Sequence, residues 1–438
     1  MAQALALDQA LAKPVWQERE KTRKRLWILF FGIIYAVVIM KLAFGHYALN
    51  GGIFFGIYSV TITLFILSRF LLSYLHRAVP AAKRYEPGVS FVVPAKNEGD
   101  NIYETIRRFG AVDYPKDKIE VIAINDGSTD RTLDEMRRAA DDLRDKVARV
   151  EVVDWKKNRG KRHGMHEGVV RATNDIIIFV DSDSFVEPGS VRHLVKHFVD
   201  PRVGAVSGHT NVYNRDTNLL TKMQSIRYYI SFRIFKSAES VFGAVTCSPG
   251  CLSAYRRSYL MEFIDEWLHQ TFLGAPCTFG DDRSLTNFVL QREHKAVYSP
   301  EAKAYTVVPD TFRQYVKQQQ RWKKSWVRET FIASSFLWRR QHPVAALFFY
   351  VYILLSFVAP VIFIRAVIWE PVRYGIMPIV YLLGLFLVLA LYGTYYRIHV
   401  DEPNWFVAVA AYWFYSVILM WQLVWAFVTI ADSRWGTR

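Results

Sequence analysis

Cysteine is scarce in this sequence. There are three, Cys247, Cys251 and Cys277, all in the polar middle of the chain. Secreted disulfide frameworks usually pair every cysteine, so an odd number argues against one. A reduced, cytoplasmic middle domain is the simpler account. No further Cys or His pair with zinc-ligand spacing accompanies Cys247 and Cys251, so they read as packing or pocket-lining residues. Acidic residues are also in deficit, with 40 Asp and Glu against 55 Lys and Arg, a formal net charge of +15. No nucleic-acid motif goes with that surplus, and no nucleic-acid partner is expected. Positive charge kept beside anionic lipid on the cytoplasmic side accounts for it. It would also suit a nucleotide diphosphate and an acidic product. Internal repeats and low-complexity segments are absent.

Apolar residues are plentiful, 52% of the chain, and they come in blocks. Residues 1–25 form a polar leader ending in Arg19, Lys21, Arg23, Lys24 and Arg25. Two apolar runs, Leu26–Met40 and Gly51–Leu75, fill residues 26–84 and read as transmembrane helices, the second broken only by Arg69. The long polar leader and the lack of a small-residue cleavage site argue against a signal peptide. Basic residues before Leu26, and Arg77, Lys83 and Arg84 after Leu75, place both flanks in the cytoplasm. The next segment, 85–310, is then a cytoplasmic domain inside a multi-pass protein of the cell membrane. A final apolar block, 344–430, holds three runs, Val344–Trp369, Met377–Tyr395 and Trp405–Ile430, each long enough to cross.

The middle segment alternates β-rich runs with helical, charged ones. Strands are expected at Val89–Val93, Ile119–Ile124, Ala148–Val153 and Asp175–Val180. Helices are expected at Glu98–Phe109, Thr129–Arg144 and Lys161–Ala172. That is an α/β pattern, and it implies a parallel sheet with its ligand beyond the carboxyl ends of the strands. Those ends carry Pro94-Ala95-Lys96-Asn97-Glu98, Asn125-Asp126-Gly127-Ser128 and Asp181-Ser182-Asp183. Acids gathered at one rim are costly unless they bind something. Asp181 and Asp183, two apart on an extended segment, would face the same way and could share Mg²⁺ or Mn²⁺. The competing account is that each Asp merely caps a helix.

Three more constellations bear on chemistry. Asn158-Arg159-Gly160-Lys161-Arg162-His163 reads as a glycine loop with cations opening a helix, fit for phosphate or simply solvated. Gly280-Asp281-Asp282-Arg283 offers paired carboxylates, one of which could take a proton from a sugar hydroxyl. Its bland alternative is a helix N-terminus with favourable acids. Gln318-Gln319-Gln320-Arg321-Trp322 lies on a helical stripe of Phe312, Val316, Gln319, Trp322 and Trp326, so residues 311–343 read as amphipathic helices on the membrane surface. Leu219, Met223, Ile226, Ile230 and Ile234 form a second stripe.

Val93-Pro94-x-x-Asn97-Glu98, Asp126-Gly127-Ser128, Asp181-x-Asp183, Gly280-Asp281-Asp282-Arg283 and Gln318-x-x-Arg321-Trp322, in that order, resemble the processive inverting glycosyltransferases of family 2. Within that group the chain is most similar to the short bacterial hyaluronan synthases, with chitin-oligosaccharide and cellulose synthases as relatives. The stretches 207–212, 214–221 and 270–274 and the ending Trp435-Gly436-Thr437-Arg438 carry that finer likeness. The resemblance implies a Rossmann-like GT-A domain set between N- and C-terminal transmembrane helices. It implies UDP-sugar donors, Mg²⁺ or Mn²⁺, and a growing polysaccharide exported through the bilayer. By the same resemblance Lys96, Glu98, Asp126, Lys161, Arg162, Asp181, Arg321 and Trp322 would hold the nucleotide sugar. Asp183 would hold the metal, with Asp181 open as a second ligand. Asp282 would be the general base. Cys247, Tyr255, Arg256, Gln318 and Trp322 would hold the acceptor or product, and Trp435 and Arg438, in the tail 431–438, would lie near the nucleotide.

Two departures stand out. The usual Cys-x-Gly-Pro is inverted to Cys247-Ser248-Pro249-Gly250, which alters the backbone at the acceptor pocket. Nodulation enzymes usually carry Glu-Asp-Arg where this chain has Asp281-Asp282-Arg283, which favours the hyaluronan type. A tail near the nucleotide also conflicts with three final crossings, so two to four passes are expected. Val344–Trp369, with Pro360 and Arg365, is the candidate for an irregular piece, and Trp405–Ile430, with Gln422, the alternative. A chitin, cellulose-like or capsule synthase would share these motifs. A non-processive lipid-phosphate transferase would usually lack Gln318-x-x-Arg321-Trp322, and a non-catalytic export component would need no base at Asp282.

Overall fold

The computed structural model describes residues 20, 22–41, 53–80, 85–375, 377–400, 405–415 and 419–431. Contacts divide the chain into two units, Met1–Leu64 with Leu355–Met420, and Phe65–Leu354 with Trp421–Arg438.

The second unit is built on one eight-stranded sheet. Its strands are β1 (Val89–Ala95), β2 (Ile119–Asp126), β3 (Arg149–Trp155), β4 (Ile176–Phe179), β5 (Ser184–Val186), β6 (Val203–Val212), β7 (Ser253–Arg256) and β10 (Lys295–Thr306). A separate hairpin is made by β8 (Thr271–Phe272) and β9 (Ala275–Pro276). The sheet order is β3-β2-β1-β4-β7-β6-β10-β5. The first four strands are parallel, as the alternating pattern implies. The second half is mixed, because β7 runs antiparallel between β4 and β6, and β5 runs antiparallel to β10. The expected parallel sheet is therefore only half of the whole.

Apolar strand residues are buried on both faces: β1 and β4 contribute Val89, Phe91, Val93, Ile176 and Ile178 to one core layer and Val92, Ile177 and Phe179 to the other. Each such side chain contributes roughly 2 kcal/mol of burial. The helix Lys161–Arg171 sits hard on β1 because it presents glycine there. A Cβ on Gly164 would lie 2.7 Å from Pro94 Cβ, and one on Gly168 would lie 2.2 Å from Val92 Cγ1. That close seating brings the start of the helix, Lys161, to the rim of the sheet.

The helix Phe312–Arg340 is buried along Tyr315, Gln319, Ser325, Arg328, Glu329, Ala333 and Leu337 and exposes Phe312, Trp322, Phe331 and Trp338. Gly280, in the left-handed region at φ 78°, abuts it: a Cβ there would lie 2.6 Å from Ser325 Cβ. Arg328 donates to the Phe279 carbonyl, and Asn287 Nδ2 donates to Glu329 Oε2 at 3.0 Å. The Gln318-x-x-Arg321-Trp322 helix is thus bolted to the start of the helix Asp281–Gln291. Of the second stripe, Ile226, Ile230 and Ile234 are buried in this unit, and Leu219 is exposed.

Three helices among the described residues are long and apolar enough to cross a membrane: Gly56–Leu75, Pro343–Tyr374 and Ile379–His399. The segment expected to be irregular is continuous through Pro360, with one π turn at Arg365–Trp369, where Arg365 pairs with Glu370 at 2.9 Å. Within Trp405–Ile430 the described residues include the helices Trp405–Trp413 and Trp421–Val428. Gln422, on the latter, is buried and donates to the Val316 carbonyl at 3.2 Å. Arg69 is buried over the Phe348 ring, 3.9 Å from its centroid.

Candidate active site

The carboxyl ends of β1, β2 and β4 share one rim, which gathers the site. At the end of β2, Asp126 is buried and fully engaged by the loop that follows β3. Its Oδ1 accepts from Arg159 N at 2.6 Å, and its Oδ2 accepts from Asn158 Nδ2 at 2.6 Å and Gly160 N at 2.9 Å. Burial raises its pKa against those hydrogen bonds. Gly127, at φ 64°, lets that loop pass, since a Cβ would lie 2.6 Å from Asn158 N. Asp126 therefore shapes the loop that opens the Lys161 helix. Lys96 is exposed nearby, close enough to act on Asp126. Glu98 is buried, its N–H donating to Thr132 Oγ1 at 2.7 Å and its Oε2 accepting from Asn101 Nδ2 at 3.3 Å.

Asp181 and Asp183 do not lie on an extended strand. They stand on the tight turn between β4 and β5, closed by Ser184 N donating to Asp181 O at 3.0 Å. The turn, not strand alternation, brings the two carboxylates together. Lys161 Nζ donates to Asp181 Oδ1, and the Cys251 thiol meets Asp181 Oδ2 at 3.5 Å. Burial works to lower the Lys161 pKa, but Asp181, Asp281 and Asp282 outweigh it and raise it, so the ammonium stays charged. Thr306 Oγ1, at the end of β10, donates to Asp183 Oδ1 at 3.3 Å. Burial and the neighbouring Asp181 charge push the Asp183 carboxyl up to about 6. A carboxyl so displaced calls for positive charge beside it. Among the described residues no three His, Cys, Asp or Glu side chains form a ready cage. Two hard oxygen donors still fit a cation that takes its remaining ligands from water and a diphosphate, the usual habit of Mg²⁺.

Asp282 lies in the first turn of the helix Asp281–Gln291. Its Oδ1 accepts from Arg283 N at 2.8 Å, and its Oδ2 accepts from the Cys247 thiol at 3.4 Å. Burial, then the Asp282 charge, pushes the Cys247 thiol up to about 12, so it remains a donor. The Cys247 loop is itself pinned: Lys236 Nζ donates to Cys247 O, Glu239 Oε2 accepts from Thr246 N at 3.0 Å, and Thr286 Oγ1 accepts from Ser248 N at 3.0 Å. Tyr255 is buried beneath, its OH 3.5 Å from Ser248 O. Arg321 is largely buried; burial lowers its pKa, and Asp181, Asp281, Asp282 and Asp183 act in the opposite sense. All four carboxylates are therefore within its electrostatic reach. Trp322 is partly exposed, its ring 6.2 Å from that of Tyr228, and Gln318 Oε1 accepts from Gln319 Nε2 at 3.4 Å.

Two expected site residues sit elsewhere. Arg162 is buried, turned away from the rim and paired with Asp281 at 2.8 Å. Arg256 pairs in register with Ile176, at the opposite end of β4, and donates to Phe198 O at 2.7 Å. The antiparallel course of β7 accounts for this, since its last residue lies at the far rim. Trp435 and Arg438 are outside the described residues. Three residues were missed, Thr306, Tyr228 and Gly250, whereas Cys251, expected as a packing or pocket-lining residue, lies against Asp181. Only Gly250 had a signal, as half of the inverted Pro-Gly. A Cβ there would lie 2.7 Å from Asp181 Oδ1 and 3.1 Å from Lys161 Nζ. Gly250→Ala should therefore push the Lys161–Asp181 pair apart and weaken UDP binding about tenfold in a calorimetric titration. An unchanged affinity would show that the loop yields instead.

A half-parallel sheet with carboxylates at its rim, the Lys161 ammonium on the acid turn and a further carboxylate, Asp282, at a helix start is the frame of a glycosyltransferase of the GT-A fold. A mannosyltransferase from Pyrobaculum calidifontis, solved with GDP-Man and Mn²⁺, matches that fold with a TM-score of 0.62 at 22% identity, over 86% of this chain and 99% of that one. Residues 90–264 match the family described as Glycosyl transferase family 2. A hyaluronan synthase of Streptococcus pyogenes serotype M3 is 30% identical over 389 residues, 87% of this chain and 90% of the relative. An N-acetylglucosaminyltransferase of Azorhizobium caulinodans is 35% identical over 248 residues, 56% of this chain and 62% of the relative. The chain belongs to the processive glycosyltransferases of family 2, in the family that includes the hyaluronan synthases.

Proposed function

We propose that the chain polymerises UDP-N-acetylglucosamine and UDP-glucuronic acid into hyaluronan and passes the polymer out of the cell. The observation that carries this reading is the extent of the likeness. A streptococcal hyaluronan synthase aligns over 95% of this chain and 97% of its own length at 29% identity. The N-acetylglucosaminyltransferase likeness covers little more than half. That likeness is nonetheless the higher in identity, 35%, and favours a chitin-type polymer as the second reading.

In the proposed reaction the donor lies against the loop shaped by Asp126, with Lys96 at its outer edge. Lys161 and Arg321 place positive charge where the diphosphate leaves. Asp183, with Asp181 alongside, would hold Mg²⁺ or Mn²⁺, which when bound supplies charge neutralisation to the leaving UDP. Asp282 accepts the proton of the acceptor hydroxyl as that oxygen attacks the anomeric carbon from the face opposite UDP, so configuration inverts. Cys247, Tyr255, Gln318 and Trp322 form the acceptor side, where an aromatic face suits a sugar ring.

The three long apolar helices support a multi-pass protein of the cell membrane. Basic flanks support a cytoplasmic catalytic domain at 85–310 between membrane blocks at 26–84 and 344–430, with 311–343 at the interface. Incubation with Mn²⁺ and both UDP-sugars should yield a polymer that hyaluronidase degrades. Polymer from UDP-N-acetylglucosamine alone would favour the chitin-type reading and exclude hyaluronan.

A further inference from the structure

Lys161 and Arg162 are adjacent in sequence but hold different acids. Lys161 is on Asp181, at the donor turn. Arg162 is on Asp281, the residue directly before the proposed base. Successive helix residues point about 100° apart, so one helix start reaches both.

The Arg162 contact is fully enclosed. Its side chain and that of Asp281 are each 4% exposed, and Nε donates to Asp281 Oδ1 at 2.8 Å. Its Nη1 donates to Trp267 O at 2.9 Å and to Gln270 Oε1 at 3.2 Å. The guanidinium lies 4.6 Å from the Trp267 ring centroid. Gln270 Oε1 also accepts from Ser284 Oγ at 2.5 Å, so it ties Arg162 to the same helix that Asp281 opens. A buried ion pair is seldom the most stabilising filling for a core; well-packed apolar residues often do as well or better. Its value here is directional. The first turn of a helix lacks half its backbone bonds and is the part most free to shift. Asp281 and Asp282 both stand in that turn. Clamping the Asp281 side chain fixes the rotation of the turn, and with it the direction of Asp282.

We propose that Arg162, Asp281 and Gln270 are positioning residues that hold Asp282 in register with the donor held at Lys161 and Asp181. This rests on the reading of Asp282 as general base. Arg162 then touches neither sugar nor diphosphate, contrary to the role that its place beside Lys161 suggests.

The test uses the full chain in detergent, with both UDP-sugars and Mn²⁺, and follows UDP release. Arg162→Met combined with Asp281→Asn leaves no unpaired buried charge. For the double variant kcat should fall 10- to 100-fold, the donor KM should stay within threefold, and UDP should bind as in the wild type. Arg162→Lys, which keeps the charge, should recover part of kcat relative to Arg162→Met. A double variant with kcat within threefold of wild type would make the pair merely structural. A raised donor KM at unchanged kcat would return Arg162 to the donor site. Should the double variant not fold, Gln270→Leu should lower kcat three- to tenfold at unchanged donor KM, and an unchanged kcat would overturn the proposal. Asp282→Asn is the control. If it keeps wild-type kcat, the base reading has failed; if it is inactive while the double variant is not, only the positioning has.

Discussion

Asp282→Asn should lose sugar transfer by roughly 10²- to 10⁴-fold, the usual contribution of a general base, while binding UDP as tightly as the wild type. Both halves follow from the contacts of Asp282. Its Oδ1 is held by the Arg283 N–H and its Oδ2 by the Cys247 thiol, groups on the proposed acceptor side. The acids proposed for the nucleotide side, Asp126 and Asp181, have other partners. An amide is nearly the same size as the carboxylate and can still accept at Oδ1, so the fold should stand. What it cannot do is take the hydroxyl proton. The measurements are UDP release under both donors and calorimetric titration with UDP. Retained transfer would remove Asp282 as the base, and lost UDP affinity would place it in the donor site.

Asp183→Asn should make the metal-free protein more stable at pH 7.5 and the enzyme inactive. The sign follows from the raised pKa. The ordinary carboxylate value is 3.8, and burial and Asp181 push Asp183 up to about 6. The unfolded chain releases that proton near pH 4, the folded one near pH 6. Folding stability therefore falls as pH rises through that window. At pH 7.5 the ionised side chain costs on the order of 1–2 kcal/mol, allowing for its partial exposure. The amide carries no such cost, so its Tm in chelator should exceed that of the wild type. With Mn²⁺ and UDP the order should reverse, because only the wild type gains from the ion. That gain should shrink below pH 6, where Asp183 is protonated. Equal Tm values in chelator would remove the charge cost assigned to Asp183. A metal-dependent rise in the amide variant would move the ion elsewhere.

The acids at this site were legible because carboxylates at the ends of apolar strands have few other reasons to be there. Asp126, Asp181 and Asp183 all meet at the rim that the βαβ pattern defines. The means were not always the expected ones: Asp181 and Asp183 meet through a turn. Arg162 shows the limit more plainly. Two cations in succession at a helix start look alike in a sequence, yet one faces the rim and the other Trp267. Arg256 and Thr306 were illegible for a different reason. Both depend on the mixed half of the sheet, where β7 has only four residues and no helix to announce its direction. Local pattern says that such a strand exists; only long-range packing decides which way it runs.

The charges at the rim are also matched in number. Asp126, Asp181, Asp183 and Asp282 face Lys96, Lys161, Arg283 and Arg321. Taken together, these eight groups carry no net formal charge, in a chain whose total is +15. A diphosphate that arrives with its divalent ion is neutral as well. Long-range attraction then has little to act on, and capture depends on directional contacts made after arrival. The rate of donor capture should change little with ionic strength. An enzyme built this way would keep its donor affinity even as a polyanion accumulates at its own surface.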